Sequence, residues 1–287
     1  MSSTSARRYG KTFDDVAAEY DRSRPRYPAE LITRACDIAG IGRGDRVLEI
    51  GCGTGQLTRD LLVRGLRVTA VEPGKNLLAL AGENLEGLGR VELVNARFED
   101  ARLPRDHFRA VFSASAFHWL DPEVSWQRAA DVLAPGGTLA LLQYCGLKEE
   151  RSTCDLEEQL ALVARIVPEV AAAWPCYRDL AATAAGAEQR SENVSEVWAW
   201  IGSHDVAWSH AGRLFRDVSV ECVPRLLEQT ADELTALLRT ASFYARLSPD
   251  QRRELEREMA ELYERRGRPL RSSTVAVLVT ARRAAGG

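Results

Sequence analysis

The sequence holds little that would staple, coordinate or anchor it. Its six cysteines, Cys36, Cys52, Cys145, Cys154, Cys176 and Cys222, form no CxxC pair and no close Cys/His cluster. That removes the usual zinc-ligand spacing and leaves a disulfide framework without support. Reduced thiols acting as small apolar fillers are expected, with no bound metal. No apolar run approaches the ~18 residues of a membrane span, and the opening MSSTSARRYGKTFDD has no apolar signal-peptide core. A cytoplasmic protein without a membrane partner is therefore expected. Charge of one sign is not in excess: 38 Lys+Arg against 41 Asp+Glu leave a formal net charge of -3. No global positive field recommends a nucleic acid as partner. Internal repeats are also missing.

What is present is an ordinary globular composition, 45% hydrophobic and 28% charged over 287 residues. The pattern predicts a short helix near Phe13–Tyr20, a break at Ser23–Pro28 and a helix over Ala29–Ala39. Strands and helices then alternate. Strands are expected at Arg46–Ile50, Arg67–Glu72, Val91–Ala96, Phe108–Ser115 and Thr138–Tyr144, with a turn at Pro135-Gly136-Gly137. Helices are expected at Gln56–Arg64, Leu77–Leu85 and Ser125–Leu133. The strands are apolar with little strict alternation, as strands covered on both faces should be. An open parallel α/β sheet follows.

Residues 146–212 change texture. A helix over Glu149–Ile166 is followed by Ala- and Trp-rich segments, read as a helical cap inserted into the sheet. A strand at 214–223, a helix at Thr230–Thr240, a helix at Ser248–Arg265 capped by Ser248 and Gln251, and a last strand at Ser273–Ala281 complete the chain. The expected division is a helical lid over 1–45, a core over 46–145, the cap over 146–212 and the C-terminal part of the sheet over 213–287.

The most specific signal is VLEIGCGTGQ, Val47–Gln56. A strand runs directly into Gly51, Gly53 and Gly55, and a helix follows. Glycine lets a ligand approach the main chain, and the helix start offers unpaired N–H groups. Glu72 ends the next strand, 17 residues beyond Gly55, where a carboxylate can accept both hydroxyls of a ribose. Dinucleotide enzymes use the same logic. Their GxGxxG form would need glycine at position 56, which here is Gln56.

Val47–Gln56 resembles motif I of the class I S-adenosylmethionine-dependent methyltransferases, and Glu72 matches their ribose-binding acid. The likeness extends to Pro135-Gly136-Gly137. The flanking FDDVAAEYDRSRPRYP and SAFHWLDP segments are similar to the small-molecule branch that includes trans-aconitate-methyltransferase-like proteins. The resemblance implies a Rossmann-like seven-stranded sheet with helices on both faces and an antiparallel last strand. It implies S-adenosylmethionine as cofactor, a small-molecule substrate, and a monomer or homodimer. By position, Gly51, Gly53 and Gly55 would border the cofactor and Glu49 would order the loop or meet the amino group. Glu72 would take the ribose hydroxyls, with Pro73 against the adenine edge. Backbone from Ala96, Arg97 and Phe98, with help from Glu99, would serve adenine. Ser113 would face the methionine end and Tyr20 would cover the cofactor.

Methyl transfer is an in-line displacement that needs a base only when the nucleophile holds its proton. His118, after the fourth strand, is the candidate base; contact without proton transfer and a packing role beside Trp119 stand as alternatives. Asp121-Pro122 reads as a helix start. Arg24, Tyr27, Trp119, Trp174, Tyr177 and Tyr244 are candidates for substrate contact, with surface solvation or cap packing as the alternatives. A carboxylate-bearing or aromatic metabolite is the expected acceptor. An RNA or protein methyltransferase, or a cofactor-binding protein with a non-transfer reaction, is the alternative.

Overall fold

The computed structural model describes residues 13–171, 177–204 and 206–285. One sheet contains β1 (Arg46–Ile50), β2 (Arg67–Val71), β3 (Val91–Val94), β4 (Phe108–Ala114), β5 (Leu133–Gly146), β6 (Phe215–Gln229) and β7 (Leu270–Arg283), in the order β3-β2-β1-β4-β5-β7-β6. β1 pairs in parallel with β2 and β4, β2 with β3, and β4 with β5, while β7 lies antiparallel between β5 and β6. This is the expected Rossmann-like α/β fold with its antiparallel last strand. The helices longer than four residues are α1 (Ala17–Ser23), α2 (Ala29–Ala39), α3 (Gln56–Val63), α4 (Lys75–Asn84), α5 (Pro122–Val132), α6 (Glu150–Ile166), α7 (Leu180–Glu188), α8 (Val194–Gly202), α9 (Ala231–Arg239) and α10 (Pro249–Arg266). Among the described residues no helix is long and apolar enough to cross a membrane.

Successive strand side chains point to opposite faces, so the sheet feeds two cores. Leu48, Ile50, Val111, Leu139 and Leu141 join one cluster, which α5 and α8 cover with Trp126 and Trp198. Val47, Val68, Phe112, Ala140 and Leu142 join the other, which α2 and α3 cover with Leu31, Ile32, Leu57 and Leu61.

Four elements depart from expectation. The helix expected near Phe13–Tyr20 is helical at Phe13-Asp14, breaks in a turn at Asp15-Val16 and resumes as α1 at Ala17. β5 starts at Leu133, before the expected turn at Pro135-Gly136-Gly137, and that turn is present as a bulge within the strand, since Leu133 faces Phe108 and Thr138 faces Ala110. A register shift between Phe108 and Ala110 of β4 absorbs the irregularity, and Gly136 takes φ 70°. β6 continues through Pro224 to Gln229. It is an edge strand, where the missing N–H of proline is tolerated.

The fourth concerns the cap. Packing does not follow chain order. Trp198, a tryptophan of the expected cap segment, is fully buried in the sheet's own core on α8. The true overlying layer joins Leu162, Val163 and Ile166 of α6 to Leu234, Leu255, Met259 and Leu262 of α9 and α10. The chain between β6 and β7 thus supplies much of what the 146–212 segment was expected to supply alone. Asp155 of α6 pins this layer to the start of β7: it accepts from both terminal nitrogens of Arg268 at 2.8 and 2.9 Å and from Arg271 N at 2.8 Å. Burial alone would raise the Asp155 carboxyl, but Arg268, the Arg271 N–H and Arg266 outweigh it and hold it below its ordinary value.

Trp198→Ala is expected to lower unfolding stability by about 3–5 kcal/mol, as for large aromatic truncations in cores. Trp200→Ala, whose ring lies under the Arg178 and Arg190 guanidiniums, should cost clearly less. Urea denaturation of the two variants compares them; equal losses would contradict the core placement of Trp198.

Candidate active site

At the carboxyl ends of β1, β2 and β4 the sheet opens on a cavity of about 1040 Å³. Its inner end is built by the loop after β1. Gly51 N and Cys52 N both donate to Val71 O, at 2.8 and 3.3 Å, so the loop leans on the end of β2. Gly51 has φ 70°, and a Cβ there would stand 2.3 Å from the Ala116 side chain. Only glycine lets the β1 loop and the β4 loop pass so closely. Gly53, at φ 56°, donates its N–H to Glu72 Oε2 at 3.0 Å. Glu72 Oε1 accepts from Gly74 N at 2.8 Å. A carboxylate has about four acceptor positions, so each oxygen keeps capacity toward the cavity. Burial raises the Glu72 carboxyl, and the two N–H donors oppose that rise.

The amino-terminal segment closes over this end. Asp14 Oδ1 accepts from Asn76 N and Leu77 N, at 2.7 and 3.0 Å, at the start of α4. Asp21 Oδ1 accepts from Thr54 Oγ1 at 2.6 Å, and its carbonyl accepts from Gln56 Nε2 at 3.1 Å. Phe13 meets Tyr20 and Trp119 edge-on at 5.7 and 6.0 Å. Arg24 lies 5.1 Å from the Tyr20 ring centroid and donates to Thr240 O beyond the end of α9. Asp14 and Asp21 were not anticipated; acidic residues on a polar lid carry no distinguishing pattern.

Of the anticipated residues, Tyr20, Arg24, Gly51, Gly53, Glu72, Pro73, Arg97, Phe98, His118, Trp119 and Tyr177 line the cavity. Others do not. Glu49 points beneath the loop, where Thr58 Oγ1 of α3 donates to it at 2.6 Å. Gly55 is the left-handed residue that starts α3. Ala96 packs into the core. Ser113 is fully buried, donating to Ile50 O at 2.9 Å, and Ser115 takes its place at the wall. Tyr27 stands behind the wall, sharing a 2.6 Å hydrogen bond with Ser115 Oγ and stacking on Tyr144 at 5.0 Å. Tyr244 is buried in the cap, bonded to Glu256, and its neighbour Phe243 lines the cavity instead. Trp174 lies outside the described residues. Asp121 caps α5, accepting from Glu123 N at 3.0 Å.

Sequence reasoning missed Gln143 and His204, which line the cavity beside His118. His118 stacks on His204 with centroids 4.0 Å apart. Gln143 Nε2 lies 3.0 Å from His204 Nε2. No sequence spacing links residues so far apart. Burial and the His204 ring push His118 well below 6.5, and burial pushes His204 down to about 4. Both rings are neutral at neutral pH.

Residues 48–141 match the family model of a methyltransferase domain. An uncharacterized methyltransferase of Mycobacterium bovis is 36% identical over 131 residues, 46% of this chain and 51% of that one. Residues 48–141 therefore form a methyltransferase domain, with S-adenosylmethionine as its cofactor. It spans about half the length of the curated relatives it matches. The ribosomal RNA small subunit methyltransferase A of Magnetococcus marinus is 49% identical over 70 residues, 24% of each chain. The solved structure of a protein assigned as a type II methyltransferase, from Anaeromyxobacter dehalogenans, is similar in fold with a TM-score of 0.56 at 23% identity, covering 90% of this chain and 97% of that one.

The inner end of the methyltransferase cavity fits the nucleoside of that cofactor. Glu72 has free acceptor positions beside the glycine loop. Glu99 Oε1 accepts from Arg97 and Asp121 N, while its Oε2 is buried without a partner. That atom is an acceptor matched to an exocyclic amine such as adenine's.

Glu49 generates a stability prediction. Burial pushes its carboxyl up from 4.5 to about 8, against the single hydroxyl of Thr58, with Glu72 and Asp60 adding to the rise. The folded state therefore holds this proton more tightly than the unfolded chain does, and stability falls as pH rises from about 4.5 to about 8. Glu49→Gln, which keeps an acceptor for Thr58, should raise Tm by a few degrees near pH 8 and by little near pH 5. Thermal unfolding without cofactor measures it; a gap that fails to widen between those two values contradicts the assignment.

Proposed function

We propose that the chain transfers the methyl group of S-adenosylmethionine to a small molecule held in the outer half of the same cavity. The observation that carries this reading is the cavity's size and continuity. At about 1040 Å³ it reaches the upper bound for a single drug-sized ligand, ~300–1,000 Å³, and it runs without a break from Glu72 to the cap. The outer half is walled by Leu156, Val170, Leu234, Leu237, Leu238 and Phe243. That lining suits an acceptor with an apolar or aromatic body. Arg24 Nε and Gln159 Nε2 are buried donors without partners on this wall, suited to a carboxylate on the acceptor.

In this reading Glu72 holds the ribose hydroxyls, and Gly51 and Gly53 give main-chain contact. Phe98 and Glu99 take the adenine, and Tyr20 and Phe13 exclude water. The bound cofactor supplies a methyl group made electrophilic by its sulfonium. The protein's part is alignment in a dry site. His118, neutral at working pH, accepts the proton of the attacking group. The likeness to a ribosomal RNA enzyme covers about a quarter of each chain, and a formal charge of -3 offers phosphates no general attraction.

Incubation of the full chain with methyl-labelled S-adenosylmethionine and a bacterial extract should place label in the metabolite fraction. Label confined to RNA or protein, or absent while S-adenosylhomocysteine still binds, would overturn the reading. Glu72→Ala should weaken S-adenosylhomocysteine binding by roughly 10- to 100-fold in calorimetry, the loss of charged hydrogen bonds. His118→Gln should lower kcat by about 100-fold with the acceptor KM nearly constant. A change in KM alone would make it a contact and not a base.

A further inference from the structure

We propose that Gln143, with His204 and His118, selects an acceptor whose reacting group is a neutral hydrogen-bond donor, an amine or a hydroxyl, and rejects a carboxylate as nucleophile. The inference rests on the methyl-transfer reading above and narrows its substrate class.

Gln143 sits on β5, is 7% exposed and lines the cavity. Its Nε2 donates to His204 Nε2 at 3.0 Å. An imidazole nitrogen that accepts carries no proton, so neutral His204 holds its proton on Nδ1. With Nε2 so engaged, Gln143 Oε1 is left buried and without a partner among the described residues. A buried amide oxygen that no protein group satisfies calls for a donor from elsewhere. The amide is held in place by absence at Gly202. A Cβ there would stand 2.4 Å from His204 Nε2 and 2.7 Å from Gln143 Nε2. Glycine at the end of α8 thus admits both side chains to the wall.

His118 supplies the second atom. Its ring lies nearly parallel to His204, 14° apart, and its Nδ1 is buried without a partner among the described residues. One wall therefore presents an amide oxygen and an imidazole nitrogen, both unmet. An amine with two N–H groups satisfies both acceptors and keeps its lone pair free to attack. A hydroxyl has one proton, and donating it to His118 Nδ1 places that proton for transfer. A carboxylate has no proton for Gln143 Oε1, and its oxygens would face that oxygen acceptor to acceptor. It belongs instead on the far wall, where Arg24 and Gln159 offer donors.

The step balances without a further reactant. The acceptor's lone pair forms the bond to the methyl carbon, and the carbon–sulfur bond breaks with its pair left on sulfur. The N–H or O–H proton passes to His118 Nδ1. Gln143 is a binding residue in this scheme; His204 acts through Gln143 and His118 and is a positioning residue.

The test needs no prior identity for the acceptor. The full chain is incubated with tritium-methyl S-adenosylmethionine and a bacterial metabolite extract, and the labelled product is treated with mild alkali. Label that stays non-volatile, in a methylamine or a methyl ether, is the expected result. Label released as methanol marks a methyl ester; it overturns this inference and leaves methyl transfer standing. Label in no metabolite, with S-adenosylhomocysteine still bound, overturns both. Gln143→Met should lower kcat/KM for the labelled product by roughly 10- to 100-fold, with S-adenosylhomocysteine affinity unchanged in calorimetry. His204→Phe keeps a stacking ring for His118 and removes the acceptor for Gln143. It should raise the acceptor KM and leave the KM for S-adenosylmethionine unchanged. Undiminished kcat/KM in Gln143→Met, or equal movement of both KM values in His204→Phe, would overturn the assignment.

Discussion

Glu72 accepts two backbone N–H groups, one from Gly53 in the loop after β1 and one from Gly74 after β2. A carboxylate that is 7% exposed is expensive to bury unless its charge is met by donors. Here the donors belong to the two loops that must stay apart for a ligand to enter between them. The same β2 end also receives Gly51 N and Cys52 N at Val71 O. The crevice where strand order reverses is thus braced at its floor by main chain and at its rim by one side chain. Glu49 lies close by on β1 but has only a hydroxyl to oppose burial, and it keeps its proton. Two neighbouring acids are set apart in this way, one met by two backbone donors at the cavity and one met by a hydroxyl beneath it.

The amino-terminal helix links that crevice to the cap. Asp21 holds Thr54 and Gln56, while Ser23 and Arg24 hold Thr240, and Glu19 reaches Arg239 at 3.7 Å. The ion pair is partly exposed and contributes little by itself. The arrangement matters because one short helix has partners on both sides, so neither side can shift without the other losing contacts. The aromatic contacts of Phe13 with Tyr20 and Trp119 close the same edge.

How much of this could be read in advance depends on how local the cause is. The β1 loop was legible because three glycines at fixed spacing serve one backbone path, with φ of 70°, 56° and 86°. Glu72 was legible because it ends the next strand. The cap helix capped by Ser248 and Gln251 was legible because the box is contained in four residues. What failed was long-range. Trp198 looks in sequence like any pocket aromatic, and only the packing of α8 on the sheet decides that it is core. Ser113 and Ser115 differ by two residues along β4, and a positive φ of 52° at Ser115 carries the chain from strand to wall. Gln143 had no signal because glutamine in an apolar strand is noticed only once its partner is in place. That partner is His204, 61 residues away.

The histidine pair imposes its own electrostatics. Two unit charges 4 Å apart repel by about 4 kcal/mol at an effective dielectric of 20, and these rings stack at 4.0 Å. A second positive charge on the pair is therefore strongly opposed, and burial makes even one unfavourable. In the resting site at neutral pH both rings are bare of charge, which spares a cationic methyl donor any repulsion from this wall. A ring that resists protonation is a weak resting base, yet it is always in the form that can accept. Once protonated it holds the proton poorly and returns it readily to water. Under the proposed reaction, a base of that kind suits an attacking group that loses its proton late, as an amine does when it becomes an ammonium on methylation. The wall's neutrality and its two unmet polar atoms then express one constraint: charge enters this part of the cavity with the reactants, not from the protein.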